Sequence, residues 1–372
     1  MDTTSLDAVS ISVFAMLMFL GGAVVQLGLA QIAGYGFTPV TLSFGYISFA
    51  LNKLSIIGDY QILPHVTGKV KVINMDNGFT FDNRSFILDR LVQNYRFWCE
   101  EAVNHKVNHV IDEKFSQLKN AGKDEEKPDR AGLCVAVYRA KAPAPYKDLV
   151  FVSGLFFTLI QLILAAIPYK KFGDANILIV TVTGTLLAWA TAALPQWNAA
   201  RSTCRTNSTK NMLLTEGNGA QHAILVLGDG LGIDLEDLAN GIIAPPTMLV
   251  QLTTNTIAFL WLAFLVYTAG IQQHVVYLLI IGFIGFIHNI YLVADIRDPK
   301  DFGLPMTLEA VYGETKVMET LFALEADYKG AGASLVPTFF PGRLRKDEIE
   351  KWYKLGFEVK GGAVYKTLDH KI

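Results

Sequence analysis

The chain has 372 residues, 51% hydrophobic, 18% charged and 11% aromatic, with a net charge of −2 and a mean hydropathy of +0.33. That balance excludes the basic footprint of a nucleic-acid-binding protein. The three cysteines, Cys99, Cys134 and Cys204, form no CxxC pair and no disulfide framework.

Charge is segregated along the sequence. No Asp, Glu, Lys or Arg occurs in 8–52, 149–169, 175–200 or 238–294. About 20 apolar residues cross a bilayer core, so these stretches read as membrane spans. The start carries acids but no Lys or Arg before its apolar run, which predicts an uncleaved first span rather than a signal peptide. The expected class is an α-helical polytopic membrane protein of about six transmembrane helices in three hairpins, with a small discontinuous α+β cytosolic domain.

In chain order, residues 12–57 form the first expected hairpin. Its helices are Ser12–Ala33 and Pro39–Ile57, and its turn lies in Gly34–Pro39. Residues 58–148 form a cytosolic α+β loop. Within it, Lys69–Phe81 alternates around Asn77-Gly78, a hairpin signal. A helical pattern then runs from Asn83 or Ser85 to about Lys119, and "LCVAVYRA" reads as a strand. Residues 149–194 form the second membrane hairpin, turning at "PYKKFGD". Residues 195–247 form a β-hairpin loop turning at Gly217-Asn218-Gly219, and 248–294 form the third membrane hairpin. The tail, 295–372, reads as an amphipathic helix over Pro305–Glu325, a turn at "FFPG", a helix over Asp347–Leu355 and a last hairpin.

Lys and Arg crowd the flanks of the polar segments, whereas the opposite side offers only Lys170 and Lys171. The positive-inside rule therefore places the polar segments in the cytosol. If 39–57 does not span, the N-terminus moves to the other side and the polar mass stays in place. Asn83-Arg-Ser85 and Asn207-Ser-Thr209 match the glycosylation sequon and are expected to stay unmodified there.

Three stretches could carry chemistry. "GDGLG", Gly228–Gly232, ends an aliphatic run, as a dinucleotide turn would. The third fingerprint glycine is replaced by Ile233, and the chain enters a membrane span before a parallel strand could return. The expected alternative is a glycine turn with Asp234 capping a short acidic helix, so no cofactor is assigned. A hard cation held by Asp229, Asp234, Glu236 and Asp237 would require a spacing other than the calcium-loop pattern.

Glu101, His105, His109 and Glu113 recur every fourth residue and line one helix face. Two histidines at that spacing can bind zinc or iron, and the other reading is a solvated face. Inside the spans, Gln251, Thr254, Asn255 and His288 could line a polar path for a small molecule. A proton- or ion-coupled pump needs a buried ionisable group, and only His288 could serve as one.

Several blocks, "LSFGYISFALNK", "NGFTFDNRSFILDRLVQNYRFW", "EEKPDRAGLCVAVY", "ALPQWNAARSTC", "LLTEGNGAQHAILVLGDGLGIDLEDLA" and "LVPTFFPGRLRKDE", together resemble a group of fungal multi-pass membrane proteins with no assigned activity. The resemblance implies a fungal source and an integral membrane protein. It brings no catalytic residue, ligand or partner. The expected function is accessory or scaffolding, in an endomembrane or the plasma membrane, with the lipid bilayer and cytosolic proteins as partners. The alternatives are a small-molecule transporter and a membrane-embedded enzyme acting on a lipid or terpenoid.

Overall fold

The computed structural model describes residues 3–33, 37–54, 62–122, 126–142, 148–241, 247–361 and 363–366, with side chains described from residue 15 onward. The helices are, in order, α1 (Thr3–Ile32), α2 (Gly45–Phe49, continued by a π-helical turn over Ala50–Leu54), α3 (Phe86–Gln93), α4 (Tyr95–Trp98), α5 (Glu101–Asn120), α6 (Leu149–Phe172) and α7 (Asn176–Ala192). They continue as α8 (Ala199–Ser202), α9 (Leu235–Asn240), α10 (Met248–Ala269), α11 (Val275–Ala294), α12 (Val317–Asp327), α13 (Ala331–Phe339) and α14 (Lys346–Lys354). The strands are β1 (Lys71–Asn74), β2 (Thr80–Asp82), β3 (Cys134–Ala140), β4 (Thr206–Ser208), β5 (Met212–Thr215), β6 (His222–Leu227), β7 (Gly232–Ile233), β8 (Met306–Gly313), β9 (Phe357–Lys360) and β10 (Ala363–Lys366).

Five helices, α1, α6, α7, α10 and α11, are long and apolar enough to cross a membrane. Large apolar side chains stand on their outer surface, among them Phe156, Leu159, Ile163, Phe259 and Val266. The buried faces instead carry small and polar residues: Gly154, Thr158, Gln161 and Ala165 on α6, and Gly282, Gly285, His288 and Asn289 on α11. Apolar outside with small and polar inside is the arrangement of helices packed in lipid, where close backbone approach and interhelical hydrogen bonds hold the bundle.

The expected second spanning helix does not form as drawn. Residues 39–43 are not helical, and helix begins only at Gly45. The remainder of that expectation, 55–57, lies outside the described residues. Thr38-Pro39 opens the segment, and proline disfavours helical backbone in the residue before it. Gly45 meets Gly21 of α1, where a Cβ on Gly45 would stand 2.4 Å from the Gly21 carbonyl oxygen.

The spanning helices have a common end. α1 and α11 finish together: Gln31 Nε2 donates to the carbonyl of Asp295 at 2.8 Å. Arg297, just beyond α11, pairs with Asp148 at the start of α6 at 2.8 Å. Gln196, just beyond α7, donates to Thr254 near the start of α10. Leu42 faces Gly184, Gly285 and Gln161 at mid-helix, whereas Phe49 stacks on Trp197 beyond α7 and Ile62 accepts from Gln26. The segment therefore enters the bundle from this end and returns to it, while α1 begins at the opposite end.

Against the common end sits a six-stranded sheet in the order β2-β1-β5-β6-β3-β8. Its strands come from all three polar stretches. β3 and β6 run parallel, with Cys134 opposite His222, and the α6–α7 hairpin lies between them in sequence. α3, α4, α5 and α9 cover one face and α12–α14 the other, giving two apolar layers. The helical run expected to Lys119 breaks at Asn94 and at Cys99-Glu100 into three helices.

The amphipathic helix expected over Pro305–Glu325 is also corrected. Its first half is β8, and only the second half is helical, as α12. Thr307, Val311 and Tyr312 suit a pleated surface. Pairing with β3, from Cys134–Gly313 to Ala140–Met306, covers the edge of a strand buried on both faces.

Candidate functional site

Backbone within a bilayer must have its polar groups satisfied internally, and non-helical backbone persists there only when protein or a cavity surrounds it. Within residues 39–44, Val40 and Leu42 meet that demand through side chains of the spanning helices. Gln161 Oε1 accepts from the Leu42 amide at 3.1 Å, and its Nε2 donates to the carbonyls of Leu42 and Ile281, both at 2.8 Å. Trp189 Nε1 donates to the Val40 carbonyl at 2.8 Å, and Thr158 Oγ1 reaches the same oxygen at 3.5 Å.

His288 lies between Thr41 Oγ1, 3.0 Å from Nδ1, and Ser153 Oγ, 3.2 Å from Nε2. Ser153 gives its own proton to the Val150 carbonyl at 2.8 Å, so it accepts from His288. Nε2 therefore carries a proton, and Nδ1 bonds to the Thr41 hydroxyl. Nδ1 thus holds the segment, and Nε2 ties the ring to α6.

Glycines make room for it. A Cβ on Gly285 would stand 1.7 Å from the Leu42 oxygen, and one on Gly154 2.0 Å from the Pro39 oxygen. Gly282 admits the Phe44 ring, and Gly184 admits Leu42. On the far side of the segment Tyr46 stacks on Trp261 with ring centroids 5.4 Å apart. The Tyr46 hydroxyl, Thr185 Oγ1 and Asn289 Nδ2 have no hydrogen-bond partner among the described residues.

Of the four residues expected to line a polar path, Gln251, Thr254 and Asn255 share one face of α10 and His288 lies on α11. Thr254 bonds to Gln196 and to the Val250 carbonyl near the start of α10. Gln251 and Asn255 are half-buried on the same helix, and His288 serves the Thr41 segment. Gln161, which makes three hydrogen bonds, lies outside that group. The sequence signal that could have found it is the face Gly154, Thr158, Gln161, Ala165, small and polar on one side of an apolar helix.

The other two candidates resolve into structural features. β6 ends at Leu227, and the chain turns through Gly228, Asp229 and Gly230, the last two with positive φ. A Cβ on Gly228 would lie 2.5 Å from the Ser208 carbonyl oxygen. Asp234 caps α9, accepting from the amides of Glu236 and Asp237. Each acid has a cation: Asp229 pairs with Arg139, Asp234 and Glu236 with Lys210, and Asp237 with Arg205 through two bonds of 2.8 Å. Arg205 holds the Asp237 carboxyl below its ordinary range. The four carboxylates share three cations, and Arg139 is also bonded to Glu309, so a dinucleotide phosphate or a cation would have to displace these pairs.

Glu101, His105, His109 and Glu113 are exposed along α5, with Val103, Val107, Val110 and Ile111 buried opposite. Lys106 stands between the two histidines, and all three border an open groove against Leu308–Val311 of β8. No group of three or more His, Cys, Asp or Glu side chains among the described residues is placed to hold a metal ion.

Bundle and sheet are joined by buried polar contacts. Arg90 of α3 donates to Gln31 Oε1 at 3.2 Å and to the Val293 carbonyl at 3.0 Å, gripping the ends of α1 and α11 together. Asp148 caps α6 through the Phe151 amide while pairing with Arg297, which is only 5% exposed. Comparison with known families, with curated proteins and with solved structures returned no match. What is plain from composition and fold is a membrane protein with apolar spanning helices and an α+β sheet domain.

Proposed function

We propose that this chain is a membrane-anchored scaffold of the fungal multi-pass group whose sequence blocks it resembles, presenting its sheet domain on the cytosolic face of the membrane. The observation that carries the reading is where the polar groups go. Gln161, Thr158, Trp189, Ser153 and His288 fix an internal backbone segment, and the acids around Gly228–Gly230 are paired with Arg and Lys. Arg90 of α3 grips the ends of α1 and α11, and Arg297 ties the end of α11 to the start of α6. Side chains committed in this way suit a rigid platform better than a route for a solute or a site of turnover.

The orientation has two supports. Basic residues flank the domain side, as the positive-inside rule requires. The Asn83 sequon is folded inward: Asn83 is 1% exposed, and its Nδ2 donates to the Ser85 carbonyl at 2.8 Å. A glycan there would destroy the turn, so a chain threaded into the lumen would be at risk of losing its fold. With five spans, the N-terminus lies on the side opposite the domain.

The test is cross-linking mass spectrometry on full-length protein in its native membrane, paired with solute uptake by the purified protein in liposomes. The scaffold reading expects recurrent cross-links from domain lysines such as Lys106 and Lys114 to the same partner protein, and no saturable uptake. Saturable uptake abolished by Thr254→Val or Asn255→Leu would overturn it in favour of a transporter.

A further inference from the structure

Between the bundle and the sheet lies a cavity of about 340 Å³, lined in part by Leu63, His65, Arg84, Ser85, Phe86 and Ile87. Its position is set by two neighbouring residues. Phe86 belongs to the apolar core of the spanning helices and Ile87 to the core of the sheet domain. Leu63 and Val66 pack against the spanning core from the same wall. The cavity thus straddles the seam between the core of the spanning helices and the core of the sheet domain.

Its charged lining has one sign. The exposed Arg84 supplies a cation, the exposed His65 stands with it, and no carboxylate lines the cavity. Arg84 is anchored by its amide, which donates to the Ala239 carbonyl at 2.8 Å. Gly241 lets the chain pass beside it, since a Cβ there would stand 3.1 Å from the Arg84 Cβ. The Arg84 guanidinium has no ion-pair or hydrogen-bond partner among the described residues.

Ser85 adds a second signal. It is 4% exposed, it lines the cavity, and its hydroxyl makes no hydrogen bond to the described residues, although it is the N-cap of α3. The first intrahelical bond of α3 runs from the Asp89 amide to the Ser85 carbonyl. The amides of Phe86, Ile87 and Leu88 precede it, and such free amides at a helix start favour an anion.

We propose that this cavity binds the phosphate of an anionic phospholipid, with Arg84 and the Ser85 hydroxyl as donors and the Leu63, Val66 and Phe86 wall receiving the lipid's glycerol end. A guanidinium beside free helix amides matches a phosphate, and the wall continuous with the spanning core selects a lipid over a soluble phosphate. The site would tie the domain to the bilayer surface.

The experiment is native mass spectrometry of delipidated full-length protein, titrated with phosphatidic acid or with phosphatidylcholine of the same acyl chains. Inorganic phosphate is titrated separately. The expected result is phosphatidic acid binding about tenfold tighter than phosphatidylcholine, a preference lost in Arg84→Gln. Ser85→Ala, whose Asx turn uses only backbone atoms of residue 85, reduces the preference, and exposed Arg343→Gln leaves it intact. Equal binding of the two lipids, or an unaltered preference in Arg84→Gln variants with a wild-type melting profile, overturns the proposal. Inorganic phosphate binding as tightly as phosphatidic acid overturns the lipid assignment.

Discussion

The side-chain amide of Gln161 pairs with both backbone groups of Leu42, accepting from its N–H at 3.1 Å and donating to its C=O at 2.8 Å, as a neighbouring strand would. The two residues are far apart in sequence, and both are fully buried. Replacing the amide with a hydrocarbon leaves the Leu42 donor and acceptor unpaired at a depth where water cannot serve them. Each such group costs about 1–3 kcal/mol. Gln161→Leu is therefore expected to lower the thermal midpoint of the purified protein by several degrees, measured in detergent by intrinsic fluorescence. A midpoint equal to wild type would mean that Leu42 finds other partners and the pairing is incidental.

The glycines on the facing helices give a sharper contrast. At Gly285 a Cβ would sit 1.7 Å from the Leu42 oxygen, inside any permitted contact, whereas at Gly270 the nearest atom is 3.4 Å away. Gly285→Ala should abolish monodisperse protein on size exclusion, and Gly270→Ala should elute as wild type. Equal behaviour of the two variants would show that the bundle yields around residue 42 and that the close approach is not required.

This segment also marks the limit of what the sequence discloses. Hydropathy registers that 8–52 carries no charge, and that is enough to place apolar chain in the membrane. It cannot register whether Leu42 bonds along its own helix or to Gln161 on α6, because both arrangements use equally apolar residues. The information lies in the partners: Gly154, Gly184, Gly282 and Gly285, each opposite the segment's backbone or side chains. β8 escaped for a related reason. Residues 306–313 take a strand only because β3 presents an edge from a distant part of the chain. Local signals succeeded where the structure is local: at Asn77-Gly78, where Gly78 has positive φ between β1 and β2, and at Asp234, which caps α9.

Orientation can be read from glycosylation sites of unequal value. Asn207 is exposed, with φ of 59°, whereas Asn83 is enclosed in its own turn. Asn207 is the informative reporter. The proposed cytosolic domain predicts no endoglycosidase-sensitive shift dependent on Asn207. A sequon added to an extended N-terminus should be modified, since five spans put that end on the other side. Modification at Asn207 with none at the N-terminus would invert the topology.

His222 links the sheet to pH. Its Nδ1 is buried without a hydrogen-bond partner, and Tyr95 packs on the ring at 5.1 Å between centroids. Burial pushes its pKa below the ordinary value. The sign follows from proton counting: as pH falls through about 6.5, the unfolded chain takes up a proton that the folded domain resists, so stability declines. The decline continues until the depressed folded-state pKa is reached. Asp237, held low by Arg205, contributes its loss only in the more acidic carboxylate range. Thermal midpoints should therefore fall between pH 7.5 and 5.5 in wild type, and His222→Phe should flatten that slope while leaving the more acidic one. A slope unchanged by the substitution would assign the sensitivity to another histidine.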